Sequence, residues 1–355
     1  MSDLAQQLAE RIAGATAPLC IRGGGSKDFY GNAPRGETLD VSGHTGIVGY
    51  EPTELVITAR GGTPLAEVEA TLAARGQMLA FEPPHFGDAT TSVATIGGCV
   101  AAGLSGPRRA AAGSVRDFVL GVKLLDGRGR ELNFGGQVMK NVAGYDVSRL
   151  VAGSLGTLGL ILEVSLKVLP RPAAEATLRL DLPAARVLDT MNGWAGKPLP
   201  ISATAWQDDT LTLRLSGARA AVAAAIDKLG GERVGDDAAA QFWAGLREQR
   251  LDYFAGPDPL WRLSLPSVAA LVDLPGATLI EWGGAQRWLR SGAAVAEVRA
   301  AAARVGGHAT LFRGGDRNGG VFAPLDPVLA RIHRDLKRAF DPNGIFNPGR
   351  LYPDF

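Results

Sequence analysis

Clustered glycine is the feature that most constrains the fold of this chain. The 355 residues include 47 glycines, about twice the usual share of roughly 7%. The glycines show no fixed period, which excludes a collagen-like repeat and indicates loops where the backbone turns sharply or approaches a ligand. Three of the clusters lie within the first 172 residues. The first hypothesis is therefore an extended ligand that contacts several backbone turns.

The first cluster follows a predicted strand at residues 18–21 and reads Arg22-Gly23-Gly24-Gly25-Ser26-Lys27. Successive glycine amides can form a concave surface that donates hydrogen bonds to phosphate oxygens. The Ser26 hydroxyl and the charge of Arg22 or Lys27 would strengthen such an anion site. A flexible turn is the alternative for a single glycine triplet. A Walker loop does not fit, because Lys27 follows Ser26 and precedes Asp28, so ATP is disfavoured.

The second and third clusters favour a ligand longer than a single phosphate. Residues 95–109 are small and end in two arginines, so a flat ring system or a pyrophosphate can lie against this backbone. Close packing between backbones is the alternative. Residues 153–159 precede a strand, the reverse of the order in a Rossmann unit, which disfavours a simple NAD dehydrogenase. Three clusters in one region together favour a dinucleotide.

Hydrophobic patterns predict mixed helices and strands for residues 1–172. An amphipathic helix at the N-terminus places Leu4, Leu8 and Ile12 on one face. Further along, Thr63 is expected to cap a helix. The later elements are a hairpin over residues 118–134, a helix over 142–150 and a strand over 160–169. We therefore predict two α/β subdomains, at about 1–56 and 57–172.

The remaining residues predict a second lobe and a tail. Residues 173–305 shift toward alanine and arginine and alternate strands with alanine-rich helices, which is typical of an antiparallel sheet covered by helices. Residues 306–355 contain a last helix, beginning at Asp326-Pro327, and a compact turn sequence. The predicted fold class is α+β.

Charge and cysteine content exclude several classes of protein. The net charge is +1, from 37 basic and 36 acidic residues without a long run of either sign, so nucleic acid is not an expected partner. Cys20 and Cys99 are far apart, which favours neither a disulfide framework nor a metal site. The four histidines have spacings that suit no metal cluster, so no metal is predicted. They are His44, His85, His308 and His333.

The sequence also predicts a cytoplasmic protein. The N-terminal residues lack the basic stretch and apolar run of a signal peptide. The longest apolar stretch, residues 155–169, is interrupted by Glu163 and Lys167 and is too short to cross a bilayer. We therefore expect no transmembrane segment.

Five motifs, in their order along the chain, resemble the vanillyl-alcohol-oxidase-type (PCMH-type) family of FAD-binding proteins. They are Arg22-Gly23-Gly24-Gly25-Ser26, Thr95-Ile96-Gly97-Gly98, Lys140-Asn141-Val142-Ala143-Gly144-Tyr145-Asp146, Gly153-Ser154-Leu155-Gly156-Thr157-Leu158-Gly159 and Phe346-Asn347-Pro348-Gly349-Arg350. More narrowly, the chain resembles the FAD-binding subunits of bacterial glycolate oxidases. The resemblance implies a PCMH-type FAD-binding domain over residues 1–172, a cap lobe over 173–305, and a segment over 306–355 that returns to the flavin domain.

The resemblance also implies FAD as the cofactor. The pyrophosphate would lie on the 22–26 loop and along 96–106, and Asn347 and Arg350 would reach the flavin side from the tail. Some relatives join the flavin covalently to a histidine in the first glycine loop, which has none here, so noncovalent binding is expected. The implied cofactor-binding residues are Arg22, Gly23, Gly24, Gly25, Ser26, Lys27, Thr95, Ile96, Gly97, Gly98, Gly103, Ser105, Gly106, Arg108, Gly156, Gly159, Ile161 and Asn347.

Catalytic residues are harder to assign. Oxidation of a 2-hydroxy acid on flavin requires a base for the hydroxyl proton and a cation for the carboxylate. Catalytic relatives carry a histidine-containing Gly-Asp-Gly-Asn-type motif before the tail, and residues 307–316 depart from it. The remaining candidates are Arg313, Arg350 and Tyr145, with Lys140 near Tyr145. Arginines near chain turns more often bind carbonyls or form ion pairs.

The expected function is an FAD-dependent oxidoreductase. The chain would be the FAD-binding subunit of a hetero-oligomeric glycolate or related 2-hydroxy-acid oxidase, transferring electrons beside a homologous catalytic subunit. An iron–sulfur subunit is expected as a further partner, because this chain lacks the cysteines that ligate a cluster. Attachment to the inner membrane would occur only through partner subunits. The alternatives are an autonomous FAD-dependent 2-hydroxy-acid dehydrogenase and a non-catalytic flavin-fold scaffold.

Overall fold

A computed structural model describes residues 3–87, 93–136 and 146–355. The described helices are α1 (Asp3–Ala13), α2 (Leu65–Ala73), α3 (Ile96–Ala102), α4 (Arg109–Ala112), α5 (Val115–Phe118), α6 (Ala184–Ala195), α7 (Arg219–Leu229), α8 (Asp236–Arg247), α9 (Val295–Arg304) and α10 (Pro327–Phe340). Short 3₁₀ turns occur at Ser148–Val151, Asp252–Phe254 and Trp282–Gly284. Over these residues, none of the helices is both long and apolar enough to cross a membrane.

The strands form mainly antiparallel sheets. They are β1 (Leu19–Arg22), β2 (Glu37–Asp40), β3 (Ile47–Glu51), β4 (Val56–Arg60), β5 (Gln77–Met78), β6 (Val119–Leu125), β7 (Glu131–Gly135), β8 (Leu160–Lys167), β9 (Leu169–Pro170), β10 (Ala174–Asp181), β11 (Ile201–Gln207), β12 (Thr210–Gly217), β13 (Glu232–Val234), β14 (Leu260–Ser264), β15 (Ala277–Glu281), β16 (Gln286–Arg290) and β17 (His308–Arg313). The predicted α+β class is confirmed.

The chain divides into two compact units. The first comprises Met1–Ser105, Ser114–Pro170 and Pro324–Phe355. The second comprises Gly106–Gly113 and Arg171–Ala323. The tail therefore belongs to the same unit as the N-terminal residues, and a short segment of the N-terminal half belongs to the second unit.

The first unit is built on a five-stranded antiparallel sheet with the order β3-β4-β8-β6-β7. Beside it, β1 and β2 pair in parallel, with Leu19 opposite Glu37. Leu8 and Ile12 of α1 are buried in the core that contains Leu39 and Phe346, and Leu4 packs at its edge. The predicted apolar face of α1 is thus confirmed, and Phe346 shows that the tail completes this core.

The predicted hairpin is formed by β6 and β7, and Asp126 organises its turn. Its Oδ1 accepts from the backbone amides of Arg128 and Arg130, each at 2.9 Å, and its Oδ2 accepts from the Arg130 guanidinium at 2.6 Å. Burial alone would raise the pKa of Asp126, but the hydrogen bonds from Arg130 and the backbone outweigh burial and lower it. Asp126 therefore stabilises the turn as a carboxylate.

Two predictions about helices need correction or fall outside the described residues. Thr63 does not cap α2, because Pro64 is extended (φ −55°, ψ 132°) and the helix begins at Leu65. The Thr63 hydroxyl instead accepts from the Gly46 amide at 2.9 Å. Of the predicted 142–150 helix, residues 142–145 lie outside the described residues, residues 146 and 147 are not helical, and Ser148–Val151 is a 3₁₀ turn.

The second unit contains an eight-stranded antiparallel sheet with the order β13-β10-β12-β11-β15-β16-β14-β17. Val187 and Met191 of α6 and Val222 of α7 are buried against this sheet, and Val298 of α9 is buried in a neighbouring core with Trp261. The alanine-rich helices predicted for residues 173–305 are confirmed by α7, α8 and α9. The sequence patterns did not reveal α6, which contains the helix-weakening pair Asn192-Gly193.

Strand β16 was also missed, because its sequence, Gln-Arg-Trp-Leu-Arg, looks exposed although all five residues are buried. The Arg287 guanidinium donates to the carbonyls of Gly284, Ala270 and Ala269. Burial lowers the pKa of Arg287 to about 10. Buried polar side chains are tolerated here because they are hydrogen-bonded inside the unit.

Candidate functional site

The glycine turns of the first unit meet the tail at one cleft. It is lined by the 21–28 turn after β1, small residues at both ends of α3, the 155–159 turn before β8, and the tail residues Asn347 and Arg350. The cleft has about 760 Å³ of empty space, part of it open solvent. The three clusters that sequence analysis singled out are therefore brought together, although more than a hundred residues separate the first from the third.

The 23–26 turn presents unused backbone donors to this cleft. Within the part of the chain that the structure describes, no backbone N–H from Gly23 to Ser26 donates to an acceptor. Gly25 has a φ of +74°, a conformation that a side chain disfavours. A Cβ on Gly24 would lie 1.6 Å from the Val93 carbonyl oxygen. The turn therefore requires glycine and is suited to bind an anion.

The charged side chains around the 23–26 turn form hydrogen bonds and an ion pair with other groups of the protein. The Arg22 guanidinium donates to the Asp28 carboxylate at 2.7 Å, with both side chains about half exposed. The Lys27 ammonium donates to the His85 carbonyl at 3.1 Å and to the Ser26 hydroxyl at 3.2 Å. Asp28 thus offsets the charge of Arg22, and the backbone amides are the main feature that would attract an anion.

The second cluster forms a helix where sequence analysis expected a glycine-rich loop. Thr95 is the N-cap of α3, and its hydroxyl accepts from the Gly98 amide at 3.2 Å. The Gly97 amide donates to the Gly61 carbonyl at 2.8 Å, and a Cβ on Gly97 would lie 2.7 Å from that oxygen. Small residues therefore let α3 approach neighbouring backbone closely while its first turn still lines the cleft.

Asn347 connects the tail to two of the glycine turns. Its Oδ1 accepts from the Ile21 amide at 2.7 Å, and its Nδ2 donates to the Leu155 carbonyl at 2.6 Å. Leu155 (φ +51°) and Asn347 (φ +41°) both have left-handed backbone conformations. Such conformations persist only where the surrounding structure enforces them, and they concentrate at functional sites. Asn347 is thus a bridge across one wall of the cleft.

Arg350 lines the cleft, but its guanidinium donates hydrogen bonds to backbone carbonyls of the protein. It is 7% exposed and donates to the carbonyls of Asn32, Asp28 and Lys27, the Asp28 contact being 2.9 Å. Arg350 therefore holds the segment that follows the first glycine turn. This matches the carbonyl-binding alternative given for arginines near turns. A catalytic role for Arg350 stays a prediction.

Several implied cofactor residues have other contacts in the first unit. Ile96 is fully buried at the start of α3. Gly103 ends α3 with a φ of +68°, and its Cα faces the backbone of Gly153. The Ser105 hydroxyl accepts from the Val115 amide at 3.0 Å. These contacts explain the residue types by local structure, and contact with a cofactor stays a prediction.

Gly106, Arg108 and Arg313 belong to the second unit. The Arg108 guanidinium donates to Glu175 at 2.6 Å and is 7% exposed, and the Gly106 carbonyl accepts from the Trp282 indole at 3.1 Å. Arg313 lies in β17, where burial lowers its pKa. Cofactor or substrate contacts of all three stay predictions. Tyr145 and Lys140 lie outside the described residues.

Sequence analysis missed a buried ion pair behind the cleft. The Lys337 ammonium is 2.6 Å from the Asp341 carboxylate, and the two residues are 6% and 1% exposed. An i, i+4 Lys–Asp pair at the end of a helix, just before the Phe346-Asn347-Pro348-Gly349-Arg350 motif, was the available signal. Such pairs are usually exposed, so this spacing indicates an ion pair at the helix end but not that the pair is buried. Across the described residues, no group of three His, Cys, Asp or Glu residues is arranged to hold a metal ion.

Comparisons with known proteins agree with this geometry. The family model for an FAD binding domain matches residues 5–135, and the model for the C-terminal domain of FAD linked oxidases matches residues 314–351. The glycolate oxidase subunit GlcE of Escherichia coli K12 is 52% identical over 355 residues, which covers 99% of this chain and 98% of GlcE.

Other relatives match only part of the chain. Glycolate oxidase subunit GlcD of Bacillus subtilis is 31% identical over 163 residues, covering 45% of this chain and 34% of GlcD. A D-lactate dehydrogenase of Archaeoglobus fulgidus is 32% identical over 180 residues, covering 49% of this chain and 38% of that protein. Among solved structures, an alkyldihydroxyacetonephosphate synthase has a TM-score of 0.67 at 14% identity, covering 98% of this chain and 74% of that one. This last similarity concerns the fold alone.

Proposed function

The chain belongs to the vanillyl-alcohol-oxidase-type (PCMH-type) family of FAD-binding proteins, and on that premise we propose that it is the FAD-binding subunit of a glycolate or related 2-hydroxy-acid oxidase complex. The family resemblance and the FAD cofactor expected from the sequence are thereby confirmed. The observation that carries the proposal is the cleft of the first unit, where unused glycine amides meet Asn347 and small residues of two other turns.

The residues of the cleft fit FAD. The amides from Gly23 to Ser26 would bind the pyrophosphate, because they are donors without an acceptor in the described chain. The small residues of α3 and of the 155–159 turn would line the flat parts of the cofactor. The described lining residues include neither histidine nor cysteine, which supports noncovalent binding.

FAD, when bound, supplies the acceptor for the two electrons released from a 2-hydroxy acid. The protein residues bind and orient the cofactor, but they offer little for the proton transfer. The carboxylate among the described lining residues belongs to Asp28, which already pairs with Arg22. We therefore assign substrate oxidation to a homologous catalytic subunit and electron transfer to this chain.

The domain boundaries follow the same proposal. Residues 1–172 would be the flavin domain and 173–305 the cap lobe. Of the predicted returning segment 306–355, residues 324–355 belong to the first unit, whereas residues 306–323 belong to the second. Residues 308–313 form strand β17 in the sheet of the second unit, and residues 307–316 depart from the histidine-containing motif expected of catalytic relatives. This difference supports a subunit that carries flavin beside another catalytic chain.

A GlcD-like subunit is the partner we propose for an exposed apolar surface on α10. Val328, Leu329 and Ile332 are 58%, 46% and 49% exposed, and apolar patches of this kind mark protein interfaces. Ile332→Lys should prevent co-purification with the GlcD-like subunit and leave the flavin spectrum unchanged, whereas Arg331→Lys should change neither.

We propose an iron–sulfur subunit as the second partner. We also propose a cytoplasmic location, with membrane attachment through partner subunits.

An absorption spectrum of the purified chain, before and after anaerobic addition of glycolate, tests the function. We expect flavin bands that stay unbleached until the partner subunit is added. Bleaching by the isolated chain would instead establish an autonomous dehydrogenase. A colourless chain that still assembles with its partner, and that FAD does not turn yellow, would establish a scaffold.

A further inference from the structure

Lys337 is a buried cation that the proposed function does not use. It lies near the end of α10 with 6% of its surface exposed. Burial lowers its pKa, and the Asp341 carboxylate opposes that shift. A buried ammonium is costly unless every one of its donors is used, so the contacts of this group indicate what it does.

The ammonium joins three separate parts of the first unit. It donates to the Asp341 carboxylate at 2.6 Å, to the Phe346 carbonyl at 2.6 Å and to the Thr157 carbonyl at 2.9 Å. Thr157 belongs to the 155–159 turn of the cleft, and Phe346 immediately precedes Asn347. All three ammonium hydrogens are thus used, and two of them hold backbone on either side of one cleft wall.

Asp341 fixes the tail from the other side. Its carboxylate accepts from the Ile345 amide at 3.1 Å and from the Phe346 amide at 2.7 Å. The tail then pairs with β1, where the Leu19 amide donates to the Ile345 carbonyl at 2.7 Å. The Lys337–Asp341 pair therefore sets where the tail runs between β1 and the 155–159 turn.

We propose that Lys337 is a positioning residue for the cleft. Its ammonium holds the 155–159 turn against the tail, so that Asn347 can bond both Ile21 and Leu155 and keep the first and third glycine turns at a fixed separation. The ligand bound there is FAD, a part of the inference that rests on the proposed function. Lys337 itself acts through the backbone it holds.

Two variants separate positioning from simple stabilisation. Lys337→Met keeps the length of the side chain but removes its donors and leaves the Asp341 carboxylate buried without its cation. The double variant Lys337→Met/Asp341→Asn removes that unpaired charge and keeps an acceptor for the Phe346 amide, but it loses the acceptor for the Ile345 amide because Asn has one acceptor oxygen. The double variant should therefore recover much of the melting temperature lost in the single variant, because an unpaired buried charge is the larger penalty.

If Lys337 positions the cleft, the double variant will recover melting temperature without recovering the arrangement of the glycine turns. In the double variant we expect FAD to bind roughly tenfold more weakly than in the unchanged chain, as loss of a positioning hydrogen bond implies. Backbone hydrogen exchange over residues 153–159 and 19–25 should also stay faster without ligand. Recovery of both FAD affinity and slow exchange would overturn the proposal, as would no change in the single variant.

Thr58→Val is the matched control in the same unit. The Thr58 and Ser165 hydroxyls form a buried 2.8 Å hydrogen bond between β4 and β8, and neither residue lines the cleft. This variant should lower the melting temperature without changing FAD affinity or exchange over 153–159. If the unchanged chain bound no FAD, the proposed function would fail, while the exchange measurements would still decide the role of Lys337.

Discussion

The first glycine turn of the first unit and strand β16 of the second unit use polar groups in opposite ways. In the first, the Gly23–Ser26 amides lie at a cleft and donate to no acceptor among the described residues. In the second, the buried polar side chains of β16 are bonded within the unit: Glu281 accepts from the Trp288 indole at 2.5 Å and from the Gln286 amide at 3.0 Å. Unused donors mark a place where a ligand completes the structure, whereas satisfied networks stabilise the fold. We therefore expect substitutions at the cleft to change ligand affinity, and substitutions in internally bonded groups of either unit to change stability.

Gly24→Ala should give the largest effect. The new Cβ would meet the Val93 carbonyl, so the turn has to move and its amides lose their arrangement. Loss of two or three hydrogen bonds at about 1 kcal/mol each predicts FAD affinity weakened roughly 100-fold, measured by quenching of flavin fluorescence. Gly49→Ala is the control, because a Cβ there meets nothing within 4 Å. Unchanged FAD affinity in Gly24→Ala would show that the amides of this turn do not bind the ligand.

Asn347→Asp should have the next largest effect. The carboxylate can still accept from the Ile21 amide, but it cannot donate to the Leu155 carbonyl as the Asn347 amide does. One lost hydrogen bond and one repulsive contact predict FAD affinity weakened about tenfold. Titration of the apoprotein with FAD measures this effect, with Asn343→Asp as the exposed control. Equal affinity in both variants would show that the bridge does not shape the cleft.

Arg108→Met tests the second unit. The substitution removes the 2.6 Å bond to Glu175, which also accepts from the Ser216 hydroxyl at 2.5 Å. Because Glu175 is 43% exposed at its side chain, we expect a loss of only about 1–2 kcal/mol in the free energy of unfolding, with FAD affinity unchanged. Denaturant unfolding and FAD titration measure the two quantities, and exposed Arg219→Met is the control. Weak FAD binding by folded Arg108→Met would make Arg108 a cofactor residue after all.

Asp126→Asn should have the smallest effect and a defined pH dependence. The folded-state pKa of Asp126 lies below its ordinary value, so its charge stabilises the fold fully above about pH 4 and progressively less as the pH falls through the folded-state pKa. The variant should be less stable by about 1 kcal/mol at pH 7, and the difference should shrink in acid. Unfolding curves between pH 7 and pH 3 check this sign, and FAD affinity at pH 7 should stay unchanged.

Much of the secondary structure was predictable from local sequence. The apolar face of α1, the β6–β7 hairpin and helix α7 follow from periodicity and turn residues over a few positions. Strand β16 and helix α6 were not predictable in this way. Arg287 looks exposed in the sequence, but it is buried, and the carbonyls of Gly284, Ala270 and Ala269 accept its hydrogen bonds, the last two from 17 and 18 positions away. Local patterns carry no information about such partners.

The candidate site residues also divide into those that local sequence identified and those whose contacts depend on the tertiary structure. The glycine clusters identified the backbone turns of the cleft because a sharp turn or a close approach requires glycine locally, whatever the rest of the fold is. Arg108 was grouped with them by its position in the sequence, but it belongs to the second unit and pairs with Glu175. Lys337 was overlooked for the opposite reason, since a lysine at the end of an amphipathic helix usually faces solvent.

The sequence by itself determined which segments have to turn sharply, which helix faces are apolar, and which family the motifs resemble, because these properties depend on neighbouring residues. Tertiary structure decided which turns meet. The Ile21 amide and the Asn347 side chain are 326 positions apart, and only the folding of the tail into the core of the first unit brings them into contact. That contact places the tail beside the first glycine turn, and the Gly23–Ser26 amides, which donate to no acceptor among the described residues, line the cleft there.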